Sequence, residues 1–140
     1  MLDTNVLSEL RKPSCDRRVQ AWSDTQPATS LYLSTVTLAE IRFGIERHSD
    51  DAFRTTLTAW LDGTLRPWFA GRILEIDEDV ILEWRRSVAR GRERGITFSQ
   101  PDLFIAATAR LHDLVVVTRN VADFEHAGVR VLNPWEYQGG

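Results

Sequence analysis

The order of apolar segments predicts an α/β fold, with a mostly parallel sheet covered by helices on both faces. Short runs rich in Val, Ile and Leu read as buried strands: Met1–Asp3, Leu31–Ser34, Arg72–Ile76, Leu114–Thr118 and Val129–Leu132. Longer stretches between them repeat apolar residues at helical spacing. The two kinds of segment alternate along the chain, as crossovers between parallel strands require.

In chain order, Asn5–Arg11 is a short helix stopped by Pro13, and Arg17–Trp22 a second one. Thr37–Arg47 carries Leu38, Ile41 and Ile45 on one stripe, and Asp51–Leu61 runs towards a stop at Gly63. Asp79–Arg94 places Val80, Ile81, Trp84 and Val88 at helical spacing and ends at Gly95. Pro101–Leu111 opens on Pro-Asp: proline suits a first turn, and an acid suits the positive end of the helix dipole. Ala122–His126 is a short helix or turn before the last strand.

The 140 residues suit one domain, spanning residues 1–140. Hydrophobic residues make up 43% and charged residues 26%, so a packed core is expected rather than disorder. Runs as short as Leu114–Val117 fall far below the roughly 20 apolar residues of a membrane span. Asp3 and Glu9 interrupt the place where a secretory leader would be apolar. Cys15 is the single cysteine, so no intrachain disulfide forms and a reducing, cytoplasmic setting is expected. A net charge of −3 argues against nucleic-acid binding by bulk charge.

In a parallel sheet, ligands collect beyond the carboxyl ends of the strands. Asp3 ends the first strand, and Glu40 lies early in the helix after the second. Asp102 opens the helix leading into the fourth strand, and Thr118, Asn120 and Asp123 follow that strand. These elements can converge on one crevice. Two carboxylates about 5 Å apart repel by roughly 3 kcal/mol at an effective dielectric near 20. A divalent cation removes that cost, and oxygen ligands suit Mg²⁺ or Mn²⁺. His48, His112 and His126 are scattered and do not make a zinc set with Cys15. Carboxylates and a metal without a covalent nucleophile point to phosphodiester hydrolysis, with Glu40 holding the water or taking its proton. Each acid also has a plainer role. Asp3 can cap the first helix, Asp102 can serve the dipole of its own helix, Glu40 can be a solvated helix residue, and Asp123 can cap a turn.

The segments LDTNVLSEL (2–10), STVTLAEIRFGI (34–45), PDLFIAATARLHDLVVVTRNVADF (101–124) and VRVLNPW (129–135) resemble PIN-domain ribonucleases. The likeness is to the VapC and FitB-type toxins of bacterial toxin–antitoxin pairs. FAGRILEID (69–77) and AWLDG (59–63) are similar to the FitB-type branch. The resemblance implies a three-layer α/β/α sandwich, Mg²⁺ or Mn²⁺, and endonuclease action on RNA. It matches the family's three main acids to Asp3, Glu40 and Asp102, and its hydroxyl position to Thr118. It also implies a homodimer and an antitoxin whose tail covers the acidic pocket, with an Arg or Lys reaching towards Asp3 and Asp102.

Two positions depart from the family pattern. The position of a frequent fourth acid is Asn120, so Asp123 is the candidate replacement and a second metal is in question. Only Met1 and Leu2 precede Asp3, where relatives have several apolar residues. A misplaced start or a trimmed N-terminus is expected; if the start is the natural one, so short a strand should weaken the sheet beside the site.

Substrate contacts are expected from Asn5 and Asn120 beside the acids, and from Arg85 and Arg86. These arginines belong to a basic run with Arg90, Arg92 and Arg94, and Arg42 and Arg47 add to a rim. The plainer reading of the run is a solvated face with pairs such as Glu83 with Arg86 or Arg90. Trp22, Trp60, Trp68, Trp84 and Trp135 read mainly as core or dimer packing rather than stacking platforms. A rival to the nuclease is a PIN-like module that binds RNA or protein without cleaving, a reading that Asn120 keeps open. A receiver-like phosphoacceptor lacks its late lysine, since Lys12 is the only lysine. An aspartate-nucleophile phosphatase would need Asp where Asn5 stands.

Overall fold

The computed structural model describes residues 1–139. The helices are α1 (Thr4–Arg11), α2 (Arg17–Asp24), α3 (Thr35–Glu46), α4 (Asp51–Trp60), α5 (Arg66–Trp68), α6 (Glu78–Glu93), α7 (Gln100–Leu111) and α8 (Val121–Glu125). The strands are β1 (Leu33–Ser34), β2 (Ile73–Leu74), β3 (Val116–Val117) and β4 (Val131–Leu132). Short 3₁₀ turns cover Ala28–Ser30 and Pro134–Glu136.

Strands β1 and β2 pair in parallel, as do β3 and β4. Residues 1–3 stitch the two pairs together. Leu2 bridges Val117 in parallel. The Asp3 amide donates to Val117 O at 2.9 Å, and the Val117 amide donates to Met1 O at 2.8 Å. On the other side, the Leu2 amide donates to Tyr32 O at 3.0 Å. The spatial order is therefore β2, β1, residues 1–3, β3, β4. The expected first strand is thus reduced to a single bridge at the centre of the sheet. The longer strand expected over Arg72–Ile76 contracts to Ile73–Leu74.

Alternation along these short strands builds the three layers, because successive side chains point to opposite faces. Leu2, Leu33, Ile73, Val117 and Leu132 enter one apolar cluster with Val6, Leu7, Val19, Trp22 and Leu38. Met1, Leu74, Val116 and Val131 enter the other, with Trp84, Leu103, Ile105, Ala106 and Phe124. Helices α1 and α2 thus cover one face and α6, α7 and α8 the other.

Capping explains most helix starts. Asp16, Ser34, Asp50 and Asp77 each accept a backbone N–H of the first turn through their side chains. Gly63 does not stop α4. The chain continues through a wider π turn over Leu61–Leu65, which buries Leu61 and Leu65. Gly95 does end α6 (φ +69°): its amide donates to Arg92 O and the Ile96 amide to Gly91 O. This left-handed closing turn favours glycine. On α6 the inward row is Val80, Trp84, Ser87 and Gly91, so Ile81, expected on the apolar stripe, stands 45% exposed. Of the tryptophans, Trp22 and Trp135 are buried and Trp60 and Trp84 half-buried, whereas Trp68 is exposed.

Candidate functional site

The site forms where the central segments end. Residues 1–3 lead into α1, β1 leads into α3, and β3 leads through Thr118–Asn120 into α8. Asp3 caps α1, Asp102 lies in the first turn of α7, and Asp123 lies in the first turn of α8. Each of these carboxylates thus sits at the positive end of a helix.

Asp3 is buried and uses its two oxygens differently. Its Oδ1 accepts the Thr4 amide at 2.9 Å, which is the cap. Its Oδ2 accepts the Thr118 hydroxyl at 2.8 Å and the Asn5 Nδ2 at 3.5 Å. The cap considered for Asp3 is therefore present, and the same side chain also meets Thr118 and Asn5.

Thr118 is fully buried and its hydroxyl is saturated. It donates to Asp3 and accepts from Asn5 Nδ2 at 3.2 Å and from the Asn120 amide at 3.0 Å. Asn5 Oδ1 accepts the Arg119 amide at 3.3 Å. This network ties the end of β3 to the start of α1, across 115 residues of sequence between Asp3 and Thr118. Asn120 joins it through its main chain, and its exposed side chain has no partner among the described residues.

The acids sense one another. Burial pushes the Asp3 carboxyl above its ordinary range. The hydrogen bonds from Thr118 and Thr4 oppose this, while the charges of Asp102 and Asp123 add to it. Partial burial, then the charges of Asp3 and Asp102, raise the Glu40 carboxyl as well. Glu40 itself lies at the exposed mouth of the site on α3. Asp102 and Asp123 line a cavity of about 160 Å³ together with His126 and the loop Ile96–Ser99.

The arrangement is looser than a cluster of carboxylates facing each other at contact. Among the described residues, no three Asp, Glu, His or Cys side chains lie close enough to grip a metal ion between them. The donor chemistry nevertheless fits a hard divalent cation, because every candidate is a carboxylate, and burial first, with the neighbouring carboxylate charges adding to it, raises two of them. Such a cation commonly keeps several waters, so fewer protein ligands suffice.

Arg85 and Arg86 are exposed on α6 and make no ion pair among the described residues. The Arg85 guanidinium lies 5.8 Å above the Trp84 ring. Arg90 follows the plainer reading, pairing with Glu83 at 2.8 Å, and Arg110 joins the same carboxylate at 3.3 Å. His126, which caps the end of α8 three residues after Asp123, is not among the expected site residues although it lines the cavity with that acid. Loop Ile96–Ser99, which lines the same cavity, carries no periodic or motif signal in the sequence.

Similarity to known proteins agrees with this architecture. The chain is 42% identical over 136 residues to VapC ribonuclease Y4jK of Sinorhizobium fredii, covering 97% of each chain. It is 38% identical over 135 residues to toxin FitB of Neisseria gonorrhoeae, covering 96% of this chain and 97% of that one. The crystal structure of FitAcB from Neisseria gonorrhoeae matches with a TM-score of 0.90 at 38% identity, over 96% of this chain and 97% of the other. A toxin–antitoxin complex from Klebsiella pneumoniae matches with a TM-score of 0.58 at 30% identity, over 95% of each chain. The PIN domain family model matches residues 1–129, a span that contains Asp3, Glu40, Asp102 and Asp123, and the chain belongs to that family.

Proposed function

We propose that this chain is a metal-dependent endoribonuclease, the toxin of a toxin–antitoxin pair. The observation carrying the reading is the state of Asp3. It is buried and held by three donors, and its carboxyl is still raised by burial and by the charges of Asp102 and Asp123. A carboxylate kept under such stress, in a family with ribonucleases among its members, is placed to serve a cation.

Asp3, Glu40, Asp102 and Asp123 are the carboxylates from which Mg²⁺, with Mn²⁺ as a substitute, would draw its ligands, a pair of them sufficing for an ion that keeps its waters. A divalent cation there supplies charge neutralisation at the phosphoryl oxygens and activation of a water. The chain does the rest. Thr118 and Asn5 fix the Oδ2 atom of Asp3. Glu40, raised and at the mouth of the site, takes the proton of the attacking water. Hydroxyl attack at phosphorus breaks the bond to the leaving oxygen, which departs with a proton from solvent. Asn5, Asn120, Arg85 and Arg86 contact the RNA strand, the arginines through phosphates.

The partners in this reading are a second copy of the chain and an antitoxin. The antitoxin's tail covers the acidic pocket and sets an Arg or Lys against Asp3 and Asp102, since a guanidinium can bind a carboxylate through two bonds. The setting is the cytoplasm. Among the described residues no helix is long and apolar enough to cross a membrane.

The test is cleavage of single-stranded and structured RNA with Mg²⁺ or Mn²⁺. Asp3→Asn and Asp102→Asn, each folded by circular dichroism, are expected to lose at least about 100-fold in rate, the scale of losing a group that stabilises the transition state. Undiminished cleavage by both variants would overturn the assignment. RNA binding by the wild type with no cleavage in either metal would favour a binding module instead.

A further inference from the structure

Two cavities share one wall. Ile96, Thr97 and Phe98 line the acidic cavity that holds Asp102 and Asp123. The same three residues line a second cavity of about 330 Å³ on the α6 side. That cavity is formed by Trp84, Val88, Arg92, Gln100 and Leu103. Its size falls at the lower end of the roughly 300–1,000 Å³ of small-ligand pockets.

The wall is held in place by α6. The Ile96 amide donates to Gly91 O at 2.7 Å, closing the end of the helix. A Cβ on Gly91 would come within 2.8 Å of Phe98 Cε2 and 3.0 Å of Ile96 O. Only a glycine there lets the Phe98 ring lie against the helix. On the far side, Trp84 is fixed by stacking on Phe104, with ring centroids 5.1 Å apart.

The lining suits one kind of ligand. Trp84, Phe98, Val88 and Leu103 offer apolar and aromatic surface to a flat ring. Thr97 and Gln100 bring hydrogen-bonding groups for a ring edge. Arg92 is exposed at the same cavity and makes no ion pair among the described residues, leaving its charge for a phosphate. Arg85 and Arg86 on the same helix, and Arg94 just past its end, are likewise exposed and unpaired among those residues.

We infer that the Trp84–Phe98 cavity is a nucleobase subsite, taking the unpaired base next to the phosphodiester presented to the acids across the Phe98 wall. The inference rests on the nuclease reading for which phosphate is presented, and on its own geometry for the base.

The experiment measures binding without cleavage. The full chain is titrated in EDTA with a fluorescent single-stranded oligoribonucleotide, and with an abasic ribose–phosphate oligomer of the same length. Wild type is expected to bind the base-bearing oligomer about 10-fold more tightly, the scale of one base stacked on an aromatic ring. Phe98→Leu keeps apolar bulk and removes the ring, and it should abolish most of that preference while leaving abasic binding unchanged. Gly91→Ala, which displaces Phe98, should do the same. Arg92→Gln should weaken both oligomers alike and lower the salt slope by about one. Wild type that does not distinguish the oligomers, or does not bind the base-bearing one, overturns the subsite and leaves the cavity as a protein-contact surface. So does an equal loss on both oligomers in Phe98→Leu. Absence of RNA cleavage bears on the nuclease reading alone, since this assay does not depend on it.

Discussion

Thr118 is the residue on which the geometry of the acids turns. Its one hydroxyl serves Asp3, Asn5 and the Asn120 amide together. Thr118→Val keeps the shape and removes all three bonds. A hydrogen bond to a charged group is worth about 1.5–3 kcal/mol, so a rate loss of roughly 10- to 100-fold is expected. The donation from Thr118 lowers the Asp3 carboxyl, so its removal should also move the acidic limb of the activity profile to higher pH. Thr118→Ser should restore both. A profile unmoved in Thr118→Val would show that this hydroxyl does not tune Asp3.

Asp3 also shows the limit of reading one residue from sequence. Its neighbours in sequence predict a cap, and the cap exists. The bond that ties it to the end of β3 comes from Thr118, 115 positions away, and no local pattern reports it. Asn120 is the converse: its identity drew notice as a departure, whereas its contact is a main-chain amide that any residue but proline offers.

At the scale of elements, the helices carry acids into place, and their caps set the accuracy. Ser34 ends β1, is fully buried, and its Oγ accepts the Val36 amide at 3.1 Å. Ser34→Ala removes the cap of the helix that bears Glu40. About 1 kcal/mol should be lost, which lowers Tm by about 3–5 °C in a domain of this size. Cleavage should fall further than stability alone explains, because Glu40 loses its register relative to Asp3. Unchanged Tm and rate would separate the cap from the site.

The helices were legible because apolar period and boundary residues are local signals, as at Gly95 and Pro101. The strands were legible as apolar runs, but their paired lengths shrink to two residues because pairing depends on partners distant in sequence. The π turn over Leu61–Leu65 was not legible: Gly63 is a stop signal locally, and burial of Leu61 and Leu65 overrides it. The wall Ile96–Phe98 escaped for the same reason, since its place follows from Gly91 on another element.

At the scale of the whole molecule, the acids oppose folding until something answers their charge. Asp3 and Glu40 are both raised in the folded chain above their ordinary values. The folded state therefore holds protons that the unfolded chain has released just above the ordinary carboxylate range. Their contribution to stability is full below that range and is lost as pH rises through the raised values. The contribution of these groups to the Tm of metal-free protein should accordingly fall as pH rises from the ordinary carboxylate range to pH 7. Asp3→Asn should lessen that fall and raise the Tm at pH 7 in EDTA. An Asp3→Asn protein that melts lower than wild type at pH 7 would mean that the cap bond outweighs the charge.

The sheet ties these scales together, because residues 1–3 lie between the two strand pairs and end on Asp3. The fold thus delivers carboxylates from four separated stretches of chain to one end of the sheet. The account stands on their serving one divalent ion. Titration calorimetry of Mn²⁺ into the wild type, Asp3→Asn and Asp102→Asn tests that most directly. Saturable binding heat in the wild type, lost in both variants, is the predicted result. Wild-type affinity in either variant, or no saturable binding in the wild type, would contradict it.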